Sequence, residues 1–146
     1  MRDIRNYDVF KLADRLALTV YRLTVTFPNE ERYGLASQMR RAALSVPINL
    51  VEGAARSGAR DFAHFVDIAL GSCEEVRYEA HVASELGYMK PADCRQLDSA
   101  YEDVSKMLNR LRCTIRDSDP PARSERRKAK SERRSAGTDK EATHGS

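Results

Sequence analysis

The stretch Glu31–Gly53 reads ERYGLASQMRRAALSVPINLVEG. Apolar residues recur along it at steps of three and four, which is the spacing of an α-helix. They form two stripes, the first through Leu35, Met39, Ala43, Val46 and Leu50, and the second through Leu44, Ile48, Val51 and Ala55. A helix that is apolar on two sides is predicted to lie at the centre of a bundle or to face a second subunit.

The start of this helix and its single proline give further expectations. We place its start near Asn29, because asparagine caps helices well and Glu30 and Glu31 put negative charge at the positive end of the helix dipole. Pro47 lacks the N–H that would bond to the Ala43 carbonyl, and it should kink the helix.

Three more segments share the helical spacing. The first runs from Val9 to Phe27 and stops at Pro28, the next from Asp61 to Gly87, and the last from Pro91 to Ile115. Because the connections between the helices are short, the sequence predicts an all-α fold. We expect an antiparallel up-down four-helix bundle over residues 1–118.

Composition excludes several classes of protein. A chain of 146 residues with 32% charged residues and no Trp fits one helical domain. No apolar run is long enough to cross a membrane and no signal peptide is evident, so a cytoplasmic location is expected. The cysteines Cys73, Cys94 and Cys113 form no CxxC pair, and we interpret them as inert thiols. We find no catalytic motif and expect no enzymatic activity, metal or cofactor.

Basic charge is concentrated after residue 119. Residues 120–146 contain eight Lys or Arg and four Asp or Glu, whereas residues 1–119 contain 17 and 18. The segment has no aromatic or large aliphatic residue and cannot bury enough apolar surface to offset its ordering entropy. We therefore predict a disordered basic tail over residues 119–146, with a transient helix between Ala122 and Ala136 as the alternative.

Polar residues on the second and third helices form a candidate network. It comprises Arg41, Asn49, Glu52, Ser72 and Glu75. We interpret the network as structural, fixing the register of the two helices, with Arg41 as a partner for Glu52 or Glu75. Replacing Arg41 with alanine should then destabilise the fold. Gly53 and Gly71 lie inside helices, where each costs about 1 kcal/mol relative to alanine, so we expect close helix contacts at both.

Basic residues give a second candidate site, for nucleic acid. Those on the body are Arg40, Arg56 and Arg60, and those in the tail are Arg126, Arg127, Lys128, Lys130, Arg133 and Arg134. Because no aromatic residue is interleaved in the tail, binding would be to phosphates and insensitive to sequence. A tail that serves only solubility is the alternative.

Fixed motifs make the chain resemble a known family from about Tyr7 to about Ile115. They include Phe27-Pro28, Gln38-x-x-Arg41-Ala42, Ser45-x-Pro47-x-Asn49-x-x-Glu52-Gly53, Ala69-x-Gly71-Ser72-x-x-Glu75 and Leu86-Gly87-Tyr88. The chain is similar to the 23S rRNA intervening-sequence, or S23-like, proteins, a family that includes relatives of the accessory variability determinant of diversity-generating retroelements. The resemblance implies a homopentamer without enzymatic activity. For the retroelement relatives it implies a basic surface that binds RNA or DNA and a reverse transcriptase.

Two functional hypotheses follow. The first is a non-enzymatic, oligomeric helical accessory protein that binds RNA or DNA through charge. The second is a purely structural or protein-interaction oligomer with no role in nucleic-acid binding.

Overall fold

The computed structural model describes residues 3–119 and 123–138. These residues contain five α-helices and two single-turn 3-10 helices. The α-helices are α1 (Asp8–Thr24), α2 (Leu35–Ala54), α3 (Ala59–Glu85), α4 (Pro91–Asp117) and α5 (Arg123–Thr138). The 3-10 turns are Ile4–Asn6 and Asn29–Glu31. No strand occurs among the described residues, and the predicted all-α class is confirmed.

Helices α1 to α4 form the predicted bundle, in which neighbours along the chain are neighbours in space. Helix α2 packs on α1 and α3, α3 packs on α4, and α4 returns to α1. Two ion pairs fix the direction of α4 against α3: Arg77 with Asp98 and Asp67 with Arg112. Asp67 precedes Arg77 on α3, whereas its partner Arg112 follows Asp98 on α4, so the two helices are antiparallel.

The core follows the stripes that the spacing predicts. Val20 from α1, Met39 and Leu50 from α2, Phe62 from α3 and Tyr101 from α4 are fully buried. The second stripe of α2 is different, because Ile48 remains 50% exposed. Helix α2 packs on both α1 and α3 and is central to the bundle, and the alternative that its second stripe faces a second subunit stays a prediction.

The start of α2 corrects the sequence prediction. Asn29 begins a separate 3-10 turn, and the α-helix begins at Leu35. The Leu35 N–H donates to the Glu31 carboxylate, with 2.9 Å between nitrogen and oxygen, so Glu31 and not Asn29 caps the helix. Helix α1 likewise ends at Thr24, three residues before Phe27, although Phe27 is buried.

The C-terminal end of α3 and the start of α4 agree with the prediction. Gly87 follows α3 with a φ of 76°, a left-handed conformation that favours glycine, and the Tyr88 N–H donates to the Ala83 carbonyl. Pro91 is the first residue of α4. Pro47 is buried within α2, which continues through it to Ala54.

Helix α5 lies outside the bundle. Its backbone packs against none of the other described helices, and every residue from Glu125 to Ala136 is exposed. The tail therefore adds nothing to the described core, as its composition predicts. Within it the chain is helical over Arg123–Thr138, which agrees with the alternative of a helix in this segment; residues 120–122 and 139–146 lie outside the described residues.

We predict opposite effects for alanine at the two helical glycines. A Cβ at Gly53 would lie 2.7 Å from the Phe65 Cβ and 2.8 Å from the Phe62 ring, so Gly53→Ala should lower the free energy of unfolding by about 1–3 kcal/mol. The expected close contact at Gly71 is absent, because a Cβ on that residue would meet no described heavy atom of a neighbouring helix within 4 Å.

Gly71→Ala is therefore the matched control and should raise the free energy of unfolding by up to about 1 kcal/mol, since alanine favours the helix. Urea denaturation measures both variants. Equal destabilisation by the two substitutions would contradict the packing of α2 on α3.

Candidate nucleic-acid interface

The tail residues predicted to bind nucleic acid all lie on α5. This helix carries seven basic and two acidic residues over Arg123–Thr138. The predicted tail residues are exposed, namely Arg126, Arg127, Lys128, Lys130, Arg133 and Arg134. With 3.6 residues per turn, Arg126, Arg127, Lys130, Arg133 and Arg134 fall within an arc of about 120°, so α5 presents most of its basic charge on one face, and Lys128 lies on the other side.

Two of the three body arginines have partners within the bundle. The Arg40 Nε donates to the Thr24 Oγ1 at 2.8 Å, and its guanidinium carbon lies 4.7 Å from the centre of the Tyr21 ring. Arg40 therefore ties α2 to α1. The exposed Arg56 lies over the ring of Phe65 at 4.9 Å, a cation–π contact that leaves its edge available to solvent.

Arg60 is exposed and lines a surface notch of about 380 Å³ between the start of α3 and the end of α4. His64, Asp67, Arg116 and Asp119 also line it. Asp67 is neutralised by Arg112, with 2.6 Å between Nε and Oδ1. Since α5 begins only six residues after α4 ends, Arg60 lies at the end of the bundle from which the basic helix emerges.

The predicted polar network is centred on Ser45, a residue that the sequence analysis does not include. Ser45 accepts hydrogen bonds from the Asn49 Nδ2 at 2.9 Å and from the Ser72 Oγ at 2.8 Å. Asn49 also donates to the Ser45 carbonyl at 2.7 Å. Asn49 and Ser72 are buried, so this small cluster joins α2 to α3 without any charged group.

The three charged residues predicted for that network lie outside it. Arg41, Glu52 and Glu75 are exposed, and none forms an ion pair with another described residue. Arg41 and Glu75 line the same surface groove between α2 and α3, beside Ser45, but they form no ion pair there, and Glu52 is not among the residues that line it.

The charged pairs that do join helices connect α3 to α4. The Arg77 guanidinium meets Asp98 at 2.8 Å and 3.4 Å and Glu74 at 3.2 Å. The Asp98 carboxylate raises the pKa of Arg77. Sequence reasoning missed these pairs because their members are far apart in the chain, and only the helix register brings them together.

A groove of about 680 Å³ runs along the outer side of α2 and α3, and we call it the α2–α3 groove. Leu35, Ala42 and Val82 are among its apolar lining residues, and its polar residues are Gln38, Arg41, Ser45, Glu75, Tyr78 and Glu79. The Glu79 Oε2 is buried and has no hydrogen-bond partner among the described residues. Burial, with a smaller contribution from the neighbouring Glu75 carboxylate, raises the pKa of Glu79 to about 7.

The cysteines and possible metal ligands of the described residues form no second candidate centre. Burial raises the pKa of the Cys73 thiol to about 12, so this cysteine is a poor nucleophile. Within residues 3–119 and 123–138 no cluster of His, Cys, Asp and Glu could hold a metal ion. None of the described helices combines the length and apolarity needed to span a membrane.

Ser45 carries a testable prediction. Ser45→Ala removes the hydroxyl that Asn49 and Ser72 share, while each keeps a backbone carbonyl as acceptor, and should lower the free energy of unfolding by about 0.5–1.5 kcal/mol in urea denaturation. The control is Ser37→Ala, at a half-buried serine of the same helix whose side chain makes no hydrogen bond to a described residue. An equal effect of both substitutions would show that the Ser45 link contributes nothing.

Glu79 gives the fold a pH dependence with a defined sign. The folded chain binds this proton more tightly than the unfolded chain, because the carboxyl pKa rises from 4.5 to about 7. The free energy of unfolding contributed by this group should therefore fall as the pH rises from about 4.5 to about 7 and stay level above that range. Glu79→Gln should remove this component.

Urea denaturation at about pH 5 and about pH 8 measures the difference for both proteins. The exposed Glu85→Gln is the control and should retain the wild-type profile. A Glu79→Gln variant with the same loss of stability between the two pH values as the wild type would contradict the assignment.

Comparison with known proteins gives a family and a fold. The model of the 23S rRNA-intervening sequence protein family matches residues 5–110. A crystal structure of a protein of unknown function from the S23 ribosomal protein family of Bacteroides thetaiotaomicron VPI-5482 superposes with a TM-score of 0.64 at 18% identity, over 70% of this chain and 96% of that one. No curated protein matches the chain. The family match spans the whole of α1 to α3 and most of α4, and the chain therefore belongs to the 23S rRNA-intervening sequence proteins.

Proposed function

We propose that this protein is a non-enzymatic helical scaffold that binds the phosphate backbone of RNA or DNA through α5. The observation that carries the proposal is the charge of α5, which has seven basic against two acidic residues and no packing partner among the other described helices. Lys and Arg that neutralise phosphates release bound counterions, and this release supplies sequence-independent affinity.

The absence of aromatic residues from α5 defines the kind of binding. Base stacking requires an aromatic platform, whereas guanidinium and ammonium groups contact phosphates of any sequence. Arg56 and Arg60 extend the basic surface onto the end of the bundle next to α5. Binding should therefore be weak for one chain, strongly dependent on salt and insensitive to sequence.

We propose further that the bundle assembles into a closed ring of five copies, as the family resemblance implies. Exposed apolar residues support association: Leu18 on α1, Val25 directly after it, Ile48 on α2, and Ile68 and Tyr78 on α3 are 40–71% exposed. The described part of α4 has no exposed large apolar residue. Five α5 helices in one assembly would raise the local concentration of basic charge and strengthen binding by avidity.

The same apolar faces favour a second candidate function, a protein-interaction oligomer with no role in nucleic-acid binding. In that case α5 would only keep the assembly soluble. The two functions differ in one measurable property, the affinity of α5 for phosphates.

Fluorescence anisotropy with labelled single-stranded RNA and duplex DNA of mixed sequence tests the proposal. The logarithm of the association constant should fall linearly with the logarithm of the salt concentration. A variant with glutamine at Arg126, Arg127, Arg133 and Arg134 should bind less tightly, and its slope for a single strand should be smaller by up to about 3, or about 0.7 for each lost phosphate contact.

The control variant has glutamine at Arg5, Lys90, Arg95 and Arg110, which are exposed basic residues of the bundle. It removes the same charge and should keep most of the affinity. Loss of affinity in both variants to the same extent would show that net charge, and not α5, is responsible. No binding by the wild type at low salt would favour the second candidate function.

A further inference from the structure

The α2–α3 groove has an unsatisfied acidic group between apolar walls. The Glu79 Oε2 is buried without a partner among the described residues, and Glu75 lies one turn away and is exposed. Tyr78 at the same groove is 68% exposed. Arg41 also lines the groove but forms no ion pair with Glu75 or Glu79. Because buried carboxylate oxygens are normally hydrogen-bonded, the Glu79 oxygen has a place for a donor from outside the described part of the single chain.

The outer face of α1 has the complementary character. Lys11, Leu18, Arg22 and Val25 are spaced by seven, four and three residues, so they share one face, which we call the α1 strip. Leu18 is 51% exposed and Val25 is 71% exposed. Lys11 and Arg22 are exposed, and neither forms an ion pair with a described carboxylate.

The α1 strip cannot reach the groove of its own chain. Helix α1 packs with its opposite face, through Val20 and Ala13, onto the core. The groove lies on the far side of α2, between α2 and α3. A contact between the two surfaces therefore requires two copies of the chain.

Helix α5 fits the groove less well, although it is more basic. The groove has Leu35, Ala42 and Val82 in its lining, and a matching surface needs apolar side chains beside its charges. The side chains of α5 between Glu125 and Ala136 include no apolar residue larger than alanine. The α1 strip provides both leucine and valine next to its basic groups.

We infer that the α1 strip of one copy docks in the α2–α3 groove of the next, with Arg22 meeting Glu75, Tyr78 and Glu79. A guanidinium satisfies carboxylate oxygens and stacks on a tyrosine ring at the same time. The two surfaces are different parts of the chain, so the contact is heterologous, and it closes the proposed ring when successive copies are rotated by one fifth of a turn. The inference rests on the proposed assembly and names its interface.

A charge-swap experiment tests the contact. Sedimentation velocity and light scattering would measure the mass of the full-length chain over a range of concentrations for Arg22→Glu, for Glu75→Arg and for the double variant. Arg22 and Glu75 are both exposed, so neither substitution should disturb the core, and a thermal melt followed by circular dichroism would verify this. Arg110→Glu, an exposed position on α4, is the control.

Each single variant should raise the concentration at which the assembly half-dissociates by about tenfold or more, since like charges then face each other. The double variant should return it toward the wild-type value, and Arg110→Glu should leave it unchanged. An assembled wild type with an unaffected Arg22→Glu variant, or a double variant that does not recover, would overturn this interface and leave the proposed assembly standing.

A wild type that is monomeric throughout would overturn both the assembly and its interface. If only nucleic-acid binding fails, the proposed role of α5 is wrong, and the proposed contact between copies still stands. The three results are therefore distinguishable in the same set of proteins.

Discussion

The close approach of α2 to α3 is the constraint on which the rest of the structure depends. Gly53 leaves room for the side chains of Phe62 and Phe65, which meet the α2 backbone at distances that a Cβ on this residue would not allow. The Ser45 link to Ser72 fixes the same two helices further along. With this register set, α4 can be held on α3 by its two arginine–aspartate pairs, and α1 completes the bundle.

The sequence predicted those features that depend on local periodicity. Steps of three and four located the buried faces of all four helices, and Gly87 and Pro91 marked a helix end and a helix start correctly. The predicted start of α2 was wrong, because the side chain of Glu31, four residues before Leu35, caps the helix in place of Asn29. A choice between two capping side chains depends on the path of the preceding turn, which periodicity does not describe.

Long-range pairing was the other part that the sequence did not specify. Asn49 and Ser72 were recognised as polar residues on buried faces, but their common partner Ser45 was not, since serine is unremarkable within a helix. Arg77 and Asp98 meet only because α3 and α4 are antiparallel with one register. Conversely, Arg41, Glu52 and Glu75 carry charges suited to a network but form no ion pairs in the described part of the chain, although Arg41 and Glu75 line the same groove.

The charge distribution divides the molecule into two parts with different roles. The body is close to neutral and has exposed apolar residues on α1, α2 and α3, which suit contacts between copies. The basic charge is concentrated in α5, outside that body, which suits contact with phosphates. A scaffold of this kind can bind a polyanion without any change in its packed core.

Hydrogen exchange of the full-length protein, alone and with mixed-sequence RNA, tests this division of roles most directly. We expect slow exchange in the buried parts of α1 to α4 in both samples, fast exchange in α5 of the free protein, and added protection in α5 when RNA is present. Protection of α5 in the free protein as strong as that of the core, or RNA-induced protection confined to the bundle, would contradict the account.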